Sequence, residues 1–247
     1  MFIIRKIVSG IKRVCSAVED GLFPKSCPMC DGLLRRNEII CGVCDKKLIY
    51  IDEPRCKKCG KQLDNDRVEY CSDCNVKHHY YKSGIAAFLY NDMISHSIYR
   101  FKYHNRRTYA EFYGRAIARR YGSLIRKWQA EVIIPVPIHY RKMIKRGYNQ
   151  AELIGRELGK ALNIKVDSDY LIRALNTKPQ KEMDKSRRKK NVENAFKITD
   201  NVVKYNKIIL VDDIYTTGST IDECAKVLLM AGVSEINFVS LSIGEGI

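Results

Sequence analysis

Ile209-Leu210-Val211-Asp212-Asp213-Ile214-Tyr215-Thr216-Thr217-Gly218-Ser219-Thr220 is the stretch that decides the fold. It completes an apolar, β-branched run from Lys207 to Val211, which predicts a buried parallel strand closed by two carboxylates. Apolar residues then recur at helical spacing from Ile221 to Leu229, so a short loop joins this strand to a helix. Gly232 stands where the end of a helix needs a residue that tolerates positive φ. The stretch therefore predicts an α/β fold built on a parallel sheet.

The loop between this strand and helix suits an anion. Unpaired backbone N–H groups and the helix dipole favour negative charge at a helix N-terminus, and Gly218 lets the backbone approach a ligand closely. Asp212 and Asp213 would repel a phosphate, so we expect them to face sugar hydroxyls or a Mg²⁺ ion bound with the ligand. An ordinary capped turn without a ligand is the plainer alternative. The arrangement predicts a sugar phosphate site.

The same stretch resembles the phosphoribosyl pyrophosphate (PRPP) binding motif of type I phosphoribosyltransferases, which has an apolar strand, two acids and a Thr-Thr-Gly-x-Thr loop in this order. The resemblance implies that Asp212 and Asp213 hold the ribose hydroxyls. It implies that the 5′-phosphate is held by Thr216, Thr217, Gly218, Ser219 and Thr220. Neither a P-loop sequence nor a G-x-G-x-x-G turn after a strand occurs, so kinase-like and dehydrogenase functions are not supported.

Eight of the ten cysteines form four Cys-x-x-Cys pairs, the spacing of zinc knuckles. Two structural Cys₄ zinc sites would use all eight thiols, with the pairs taken either sequentially or interleaved. Disulfides are disfavoured because no secretion signal precedes these residues, and iron–sulfur clusters are a further alternative. In the sequential pairing, one ion is held by Cys27, Cys30, Cys41 and Cys44, and the other by Cys56, Cys59, Cys71 and Cys74.

The chain has a formal net charge of +16, which favours polyanionic partners. Its positive charge is concentrated in Arg100 to Arg107, Arg141 to Arg146 and Lys178 to Lys190. Aromatic residues interleave the charge between Tyr99 and Tyr109, which suits either base stacking in single strands or a place in the core. Single-stranded DNA is therefore among the partners that we expect.

Three domains are predicted: an amphipathic helix over residues 1–26, a double zinc ribbon over 27–77 and a phosphoribosyltransferase-like domain over 78–247. The N-terminal apolar stripe is interrupted by basic residues, so it predicts no transmembrane segment. We expect a cytoplasmic protein whose first helix packs against the next domain. A peripheral position on a membrane is the alternative.

A second apolar run, Val132 to Val136, leads into a basic loop. Loops that follow parallel strands gather at one edge of the sheet, so this loop should face the Asp212 loop. Its Pro135-Val136-Pro137 run resembles amidophosphoribosyltransferases, and type I enzymes bind pyrophosphate with the loop after their first core strand. The resemblance thus implies that pyrophosphate is bound by Ile138, His139, Tyr140, Arg141 and Arg146.

The polar segment from Arg173 to Phe196 occupies the place of the flexible loop that closes over PRPP in type I enzymes. By that resemblance Arg187 and Arg188 are the candidate catalytic residues, acting on the pyrophosphate leaving group. A solvated basic linker is the alternative.

The order of these motifs resembles the ComF family, which includes the ComFC and GntX groups. Four cysteine pairs are followed by Phe101-Lys102-Tyr103, by Pro135-Val136-Pro137, by the run from Arg146 to Ala151 and by the Asp212 loop. The resemblance implies a role in DNA uptake during natural transformation, with DNA-uptake proteins as further partners. It also implies a pentosyltransferase that uses Mg-PRPP as donor, while glutaminase activity is not expected because the chain starts with Met1-Phe2.

Two functions of different class follow. The first is transfer of phosphoribose to an unidentified acceptor. Because the chain ends soon after its last predicted strand, Ile236 to Leu241, we expect no C-terminal hood, and the acceptor would be read by residues 78–130 or by the zinc ribbon. The second is a non-catalytic competence factor that handles single-stranded DNA and binds PRPP or a nucleotide.

Overall fold

The computed structural model describes residues 25–173, 195–199 and 204–244. The chain divides into two compact units, Met1–Lys47 and Leu48–Ile247. The first four cysteines of the pairs lie in one unit and the second four lie in the unit that contains the sheet. The predicted boundary between the zinc ribbon and the next domain, at residues 77/78, stays a prediction. The boundary between the two compact units lies at residues 47/48. Most of the predicted amphipathic helix, residues 1–24, lies outside the described residues.

In the described part of the first unit, residues 25–47, a Cys-x-x-Cys turn is followed by a short helix. The turn folds back on itself where the Cys27 amide donates to the Gly32 carbonyl at 2.8 Å. Helix α1 (Gly42–Asp45) begins after Cys41, whose sulfur accepts from the Cys44 amide at 3.4 Å. These two local structures bring both pairs of thiols of this unit together.

The second unit begins with the same motif. The Cys56 amide donates to the Lys61 carbonyl at 2.8 Å, which forms an equivalent turn. Helix α2 (Ser72–Val76) begins after Cys71, as α1 begins after Cys41. We call residues 54–76 the second ribbon.

A five-stranded parallel sheet follows, in the order β1-β7-β6-β2-β3. Its strands are β1 (Ser83–Leu89), β2 (Val132–Pro135), β3 (Lys165–Val166), β6 (Lys207–Tyr215) and β7 (Glu235–Ile243). The short strands β4 (Leu171–Arg173) and β5 (Phe196–Ile198) pair antiparallel beside it. After α2, the described residues of this unit form the helices α3 (Asp92–Tyr103), α4 (Tyr109–Lys127), α5 (Tyr140–Arg146), α6 (Gln150–Leu162) and α7 (Ser219–Met230). The predicted α/β fold with a zinc ribbon is confirmed.

Helices cover the two faces of the sheet because successive side chains of a strand point in opposite directions. Ile133 of β2 lies against α6, where a side chain built on Gly155 would approach it to 3.3 Å. Val132 and Ile134, on either side of it, belong to the buried cluster that also contains Cys224 of α7. The sheet is therefore buried between helices, as its continuous apolar strands require.

Strand β6 is longer than predicted. The prediction ended it at Val211, but the ladder with β7 continues through the pair Asp212 and Ser240 to the pair Tyr215 and Ile243. Carboxylates are depleted in strands, which is why the sequence indicated an end at Asp212. Pairing with β7 overrides that local preference, so the acids lie within the strand rather than after it.

The segment that leads into the second ribbon pairs with the outer edge of β1, and the ribbon itself packs against the start of that strand. The Ile51 amide donates to the Ala87 carbonyl at 3.2 Å, and the Leu89 amide donates to the Ile49 carbonyl at 3.1 Å. Gly60, with φ of +76°, lies so close to the backbone of Gly84 that a side chain there would collide with it. This ribbon is therefore part of the sheet unit and not an appendage.

Strands β4 and β5 meet at the pair Arg173 and Phe196. The predicted catalytic residues Arg187 and Arg188 fall between these strands and lie outside the described residues. Within the described ranges, no helix is long and apolar enough to cross a bilayer.

Candidate functional site

The two acids of β6 are held in different ways. Asp212 accepts a hydrogen bond from the amide of Asp213 at 2.8 Å through its own Oδ1. Asp213 forms an ion pair with Lys102 of α3, whose Nζ lies 2.8 Å from Oδ2. Burial, together with the neighbouring charge of Asp213, raises the pKa of Asp212 to about 7. One carboxylate is thus neutralised by a cation, while the other is ready to take up a proton.

Cations from three separate segments approach this acidic pair. Although Lys142 is exposed over part of its length, its pKa is lowered, first by desolvation of the ammonium group and then by the positive charges of Arg146, Arg173 and Lys102. The pKa of Arg173 is also lowered by burial, an effect that the nearby Cys224 and Asp212 oppose. Lys102 of α3 contacts the acids directly, and Lys142 of α5 and Arg173 at the end of β4 add positive charge in their neighbourhood. Positive charge of this kind favours a polyphosphate.

The predicted phosphate loop forms the N-terminus of α7. Gly218 is the N-cap residue, with φ of +76°, and no side chain of the described residues caps the helix. The hydroxyls of Thr217 and Ser219 lie 2.9 Å apart, and Thr216 and Thr217 are exposed. The loop surrounds a concavity of about 60 Å³ that Asp212 also lines. The helix N-terminus is therefore open to a small anionic group.

The predicted pyrophosphate loop forms the start of α5. His139 is its N-cap residue, and its Nδ1 accepts from the Arg141 amide at 3.1 Å. Tyr140 and Arg141 are exposed, whereas Ile138 is only partly exposed. Because β2 pairs with β6 in parallel, this loop lies at the same edge of the sheet as the acids.

Arg146 connects this loop to two other helices. Its guanidinium donates to Gln150 Oε1 at 2.7 Å and to the hydroxyl of Tyr103 at 3.2 Å. The other polar atom of that amide, Gln150 Nε2, is buried and has no hydrogen-bond partner among the residues that the structure describes. Asn149 caps α6 and donates to the Val136 carbonyl at 3.0 Å. The Arg146 to Ala151 run therefore fixes the loop after β2.

The structure brings together the predicted acids, the phosphate loop and the start of α5. Sequence reasoning missed Lys102, Lys142 and Arg173 as partners of the acids, and it missed Gln150. The sequence contained one indication of Lys102. It belongs to the Phe101-Lys102-Tyr103 run, which helped to identify the family but suggested no role for the lysine. The catalytic roles of Arg187 and Arg188 remain predictions.

The eight paired cysteines form two separate clusters. Within each cluster the sulfur atoms lie within 4.8 Å of one another, and the clusters follow the sequential pairing: Cys27, Cys30, Cys41 and Cys44 in one, and Cys56, Cys59, Cys71 and Cys74 in the other. Four thiols converging from two Cys-x-x-Cys pairs fit tetrahedral zinc without an open position. The residues would hold two structural ions, and the interleaved pairing is wrong.

A larger cleft of about 880 Å³ lies beside the phosphate loop. One wall is the second ribbon, with Tyr70 and Val68 exposed in it, and the other is formed by the ends of β1 and β7. A narrow cleft that shares Lys61 and Gly244 with it extends to Thr216 and Thr217. The two clefts form a continuous surface from the ribbon to the phosphate loop.

The aromatic residues of the basic segment divide between core and surface. Phe101 and Tyr109 are fully buried, whereas Tyr99 is 53% exposed and Tyr103 is 40% exposed. The rings of Tyr99 and Tyr103 lie 5.0 Å apart, and the Arg146 guanidinium lies 5.1 Å from the centre of the Tyr103 ring. We call Tyr99, Tyr103 and Arg146 the aromatic patch.

Comparison with known proteins first identifies the cysteine half of the chain. The family model of the double zinc ribbon domain matches residues 18–75. A purine phosphoribosyltransferase from Pyrococcus horikoshii gives a TM-score of 0.33 at 18% identity, covering 55% of this chain and 73% of that chain. That similarity is too low to carry an argument, and the fold rests on the strand order described above.

Relatives match most of the chain. Competence protein F of Haemophilus influenzae is 32% identical over 211 residues, which cover 82% of this chain and 90% of that protein. The DNA utilization protein YhgH of Escherichia coli K12 is 29% identical over 203 residues, or 80% and 87% of the two chains. Competence protein ComFC of Bacillus subtilis is 28% identical over 233 residues, or 86% and 92%. The identity to competence protein F exceeds 30% and the match covers most of both chains, and the chain therefore belongs to the ComF family.

Proposed function

We propose that the chain binds PRPP at the carboxyl edge of its sheet and transfers the phosphoribosyl group to an acceptor. The observation that carries the proposal is the convergence of an acidic pair, an uncapped helix N-terminus and four cations on one site. The likeness of the Asp212 loop to the PRPP motif of type I enzymes supports the same ligand. The relatives are named competence proteins and DNA utilization proteins, which supports a role of this reaction in the uptake or utilization of DNA.

Each part of the site has a role in this reaction. Asp212 and Asp213 accept hydrogen bonds from the ribose hydroxyls, and the N–H groups of the phosphate loop hold the 5′-phosphate. Lys102 and Lys142 stabilise the negative charge that develops on pyrophosphate as its bond to the ribose C1 breaks. A nitrogen nucleophile on the opposite side forms the new bond. Mg²⁺, when bound with PRPP, supplies further neutralisation of the pyrophosphate.

The acceptor is proposed to enter by the cleft beside the second ribbon. This cleft is continuous with the surface that reaches Thr216 and Thr217, and Tyr70 offers an aromatic face to a planar acceptor. The zinc ribbon would then recognise the acceptor. It is one of the two regions, with residues 78–130, that the sequence indicated for this role.

Replacement of both acids tests the donor site. We expect calorimetric titration with PRPP and Mg²⁺ to show binding by the wild type, and at least about a 100-fold weaker affinity in Asp212→Ala/Asp213→Ala, because two charged acceptors are lost. The matched control is Asp66→Ala, which removes an exposed acid of the second ribbon and should bind normally. Equal affinity of the double variant and the wild type would refute the site, and release of pyrophosphate in the presence of an acceptor would establish turnover.

A second function, handling of single-stranded DNA, is favoured by the aromatic patch. Exposed rings beside a guanidinium suit the stacking of successive bases on a positively charged surface. The names of the relatives, competence protein and DNA utilization protein, support the same partner.

Binding of fluorescent oligo-dT tests this function. Tyr99→Ala/Tyr103→Ala should weaken binding about tenfold or more, because stacking contributes about 1–3 kcal/mol per base. The control Tyr90→Ala removes another exposed tyrosine, 40% accessible, that lies outside the patch. Affinity should also fall steeply with salt as counterions are released. Salt-insensitive binding, or equal losses in the two tyrosine variants, would contradict the assignment.

A further inference from the structure

The phosphate loop rests on the ring of Tyr215. This residue ends β6, and its hydroxyl fills the space that a side chain at Gly218 would occupy. Gly218 itself has φ of +76°, a conformation that side-chain-bearing residues rarely adopt. The shape of the loop at the helix N-terminus therefore depends on where the Tyr215 ring lies.

Tyr215 is in turn fixed by Tyr81. The two hydroxyls lie 2.6 Å apart, and both residues are buried. Phe238 contacts both rings: its centroid lies 4.8 Å from that of Tyr215 in a stacked arrangement and 4.8 Å from that of Tyr81 edge to face. Three aromatic rings thus form a rigid support under the loop.

Residues of the second ribbon also contact these aromatic rings. Lys58 lies 5.4 Å from the centre of the Tyr81 ring, and Cys59 belongs to the same buried cluster as Tyr81 and Tyr215. The narrow cleft lined by Cys59 and Cys74 is also lined by Tyr215 and Thr216. The thiol cluster therefore adjoins both the tyrosine pair and the phosphate loop.

Residues 79–81 also contact the first turn of α7. His79 Nδ1 lies 2.7 Å from Asp222 Oδ2, and the Tyr80 amide donates to Asp222 Oδ1 at 3.1 Å. Residues 79–81, which come soon after the second ribbon, thus contact both the helix that presents the anion site and the ring beneath its loop.

We propose that Tyr81 and Tyr215 are positioning residues that couple the folded second cysteine cluster to the phosphate loop. When the cluster is ordered around its metal, the tyrosine pair keeps the loop amides aimed at the ligand. When the pair is broken, the loop samples other conformations and binds a phosphate less tightly. For PRPP as ligand the inference rests on the function proposed above, but the ordering of the loop does not.

The variant Tyr81→Phe tests the coupling because it removes one hydroxyl and keeps the ring. We expect about tenfold weaker PRPP binding and faster hydrogen exchange of the amides of residues 214–221 in the ligand-free, zinc-loaded protein. Exchange in β2 serves as the internal reference for global stability. Tyr205→Phe is the matched control, since it removes a tyrosine hydroxyl that donates to Asp167 at 2.9 Å, outside this group of three rings.

Coupling is reciprocal, so PRPP should slow the release of zinc to a chelator in the wild type and do so less in Tyr81→Phe. Unchanged loop exchange together with unchanged zinc release in Tyr81→Phe would overturn the inference. If the wild type bound no PRPP, the proposed function would fail while the exchange of the loop in Tyr81→Phe would still decide the coupling.

Discussion

Removal of zinc is expected to unfold both cysteine segments, the largest effect that we predict. Each Cys₄ site adds on the order of 10 kcal/mol of apparent binding free energy to folding, which is comparable with the stability of a whole domain, about 5–15 kcal/mol. Cys56, Cys59 and Cys71 are buried in the core cluster of the sheet unit, so loss of the second ion also disturbs that core. The measurement is protease sensitivity of residues 27–74, followed together with the release of about two zinc ions per chain.

Cys224→Ala provides the control for zinc removal. Cys224 is fully buried in α7 and belongs to neither thiol cluster, so the variant should retain both ions. A segment 27–74 that resists proteolysis after complete loss of metal would show that apolar contacts alone hold it.

Replacement of Asp212 by Asn is expected to stabilise the ligand-free protein at alkaline pH. The pKa of Asp212 is raised from 3.8 to about 7 in the folded chain, mainly by burial. Between these two values the folded state binds a proton more readily than the unfolded chain, so wild-type stability falls as pH rises through this window. The cost of the buried charge is about 2–4 kcal/mol above pH 7, and Asp212→Asn avoids it.

Thermal unfolding at several pH values measures this effect. The melting temperature of Asp212→Asn should exceed that of the wild type at pH 8, and the difference should shrink as the pH falls toward and below 3.8, where the wild-type carboxyl becomes protonated in the unfolded state as well as in the folded one. Asp66→Asn, at an exposed position, should show no such difference. A gain of the same size at every pH would mean that the amide improves local contacts and that the charge is not the cause. The stabilised variant should lose PRPP binding, as expected where a site trades stability for function.

Local patterns in the sequence were sufficient for the elements of the site and for the family. The apolar run before Asp212 predicted β6, and the hydroxyl-rich loop predicted the N-terminus of α7, because both depend on short-range chemistry. The Cys-x-x-Cys spacing identified the metal ligands but left their pairing open, since pairing depends on how the turns fold. The family prediction is confirmed by the relatives that match both halves of the chain.

Long-range partners could not be predicted in this way. Lys102 lies on α3, far along the chain from Asp213, and only the parallel packing of β6 between β7 and β2 brings its helix to the acids. Tyr215 looked like part of a loop in the sequence, yet it ends a strand whose length is set by pairing with Ile243. Residues that act through tertiary contacts leave no periodic signal in one sequence.

The segment that precedes the second ribbon also affects how the protein behaves at high concentration. β1 is an edge strand of the sheet, and unpaired edges invite other chains to add strands and aggregate. The backbone around Ile49 and Ile51 occupies hydrogen-bonding groups of that edge, and the opposite edge strand, Lys165–Val166, has only two residues. Within the described residues, neither edge of the sheet therefore offers a long unpaired strand to another chain. The segment around Ile49 and Ile51, which leads into a metal site, thus also protects the protein from edge-to-edge association.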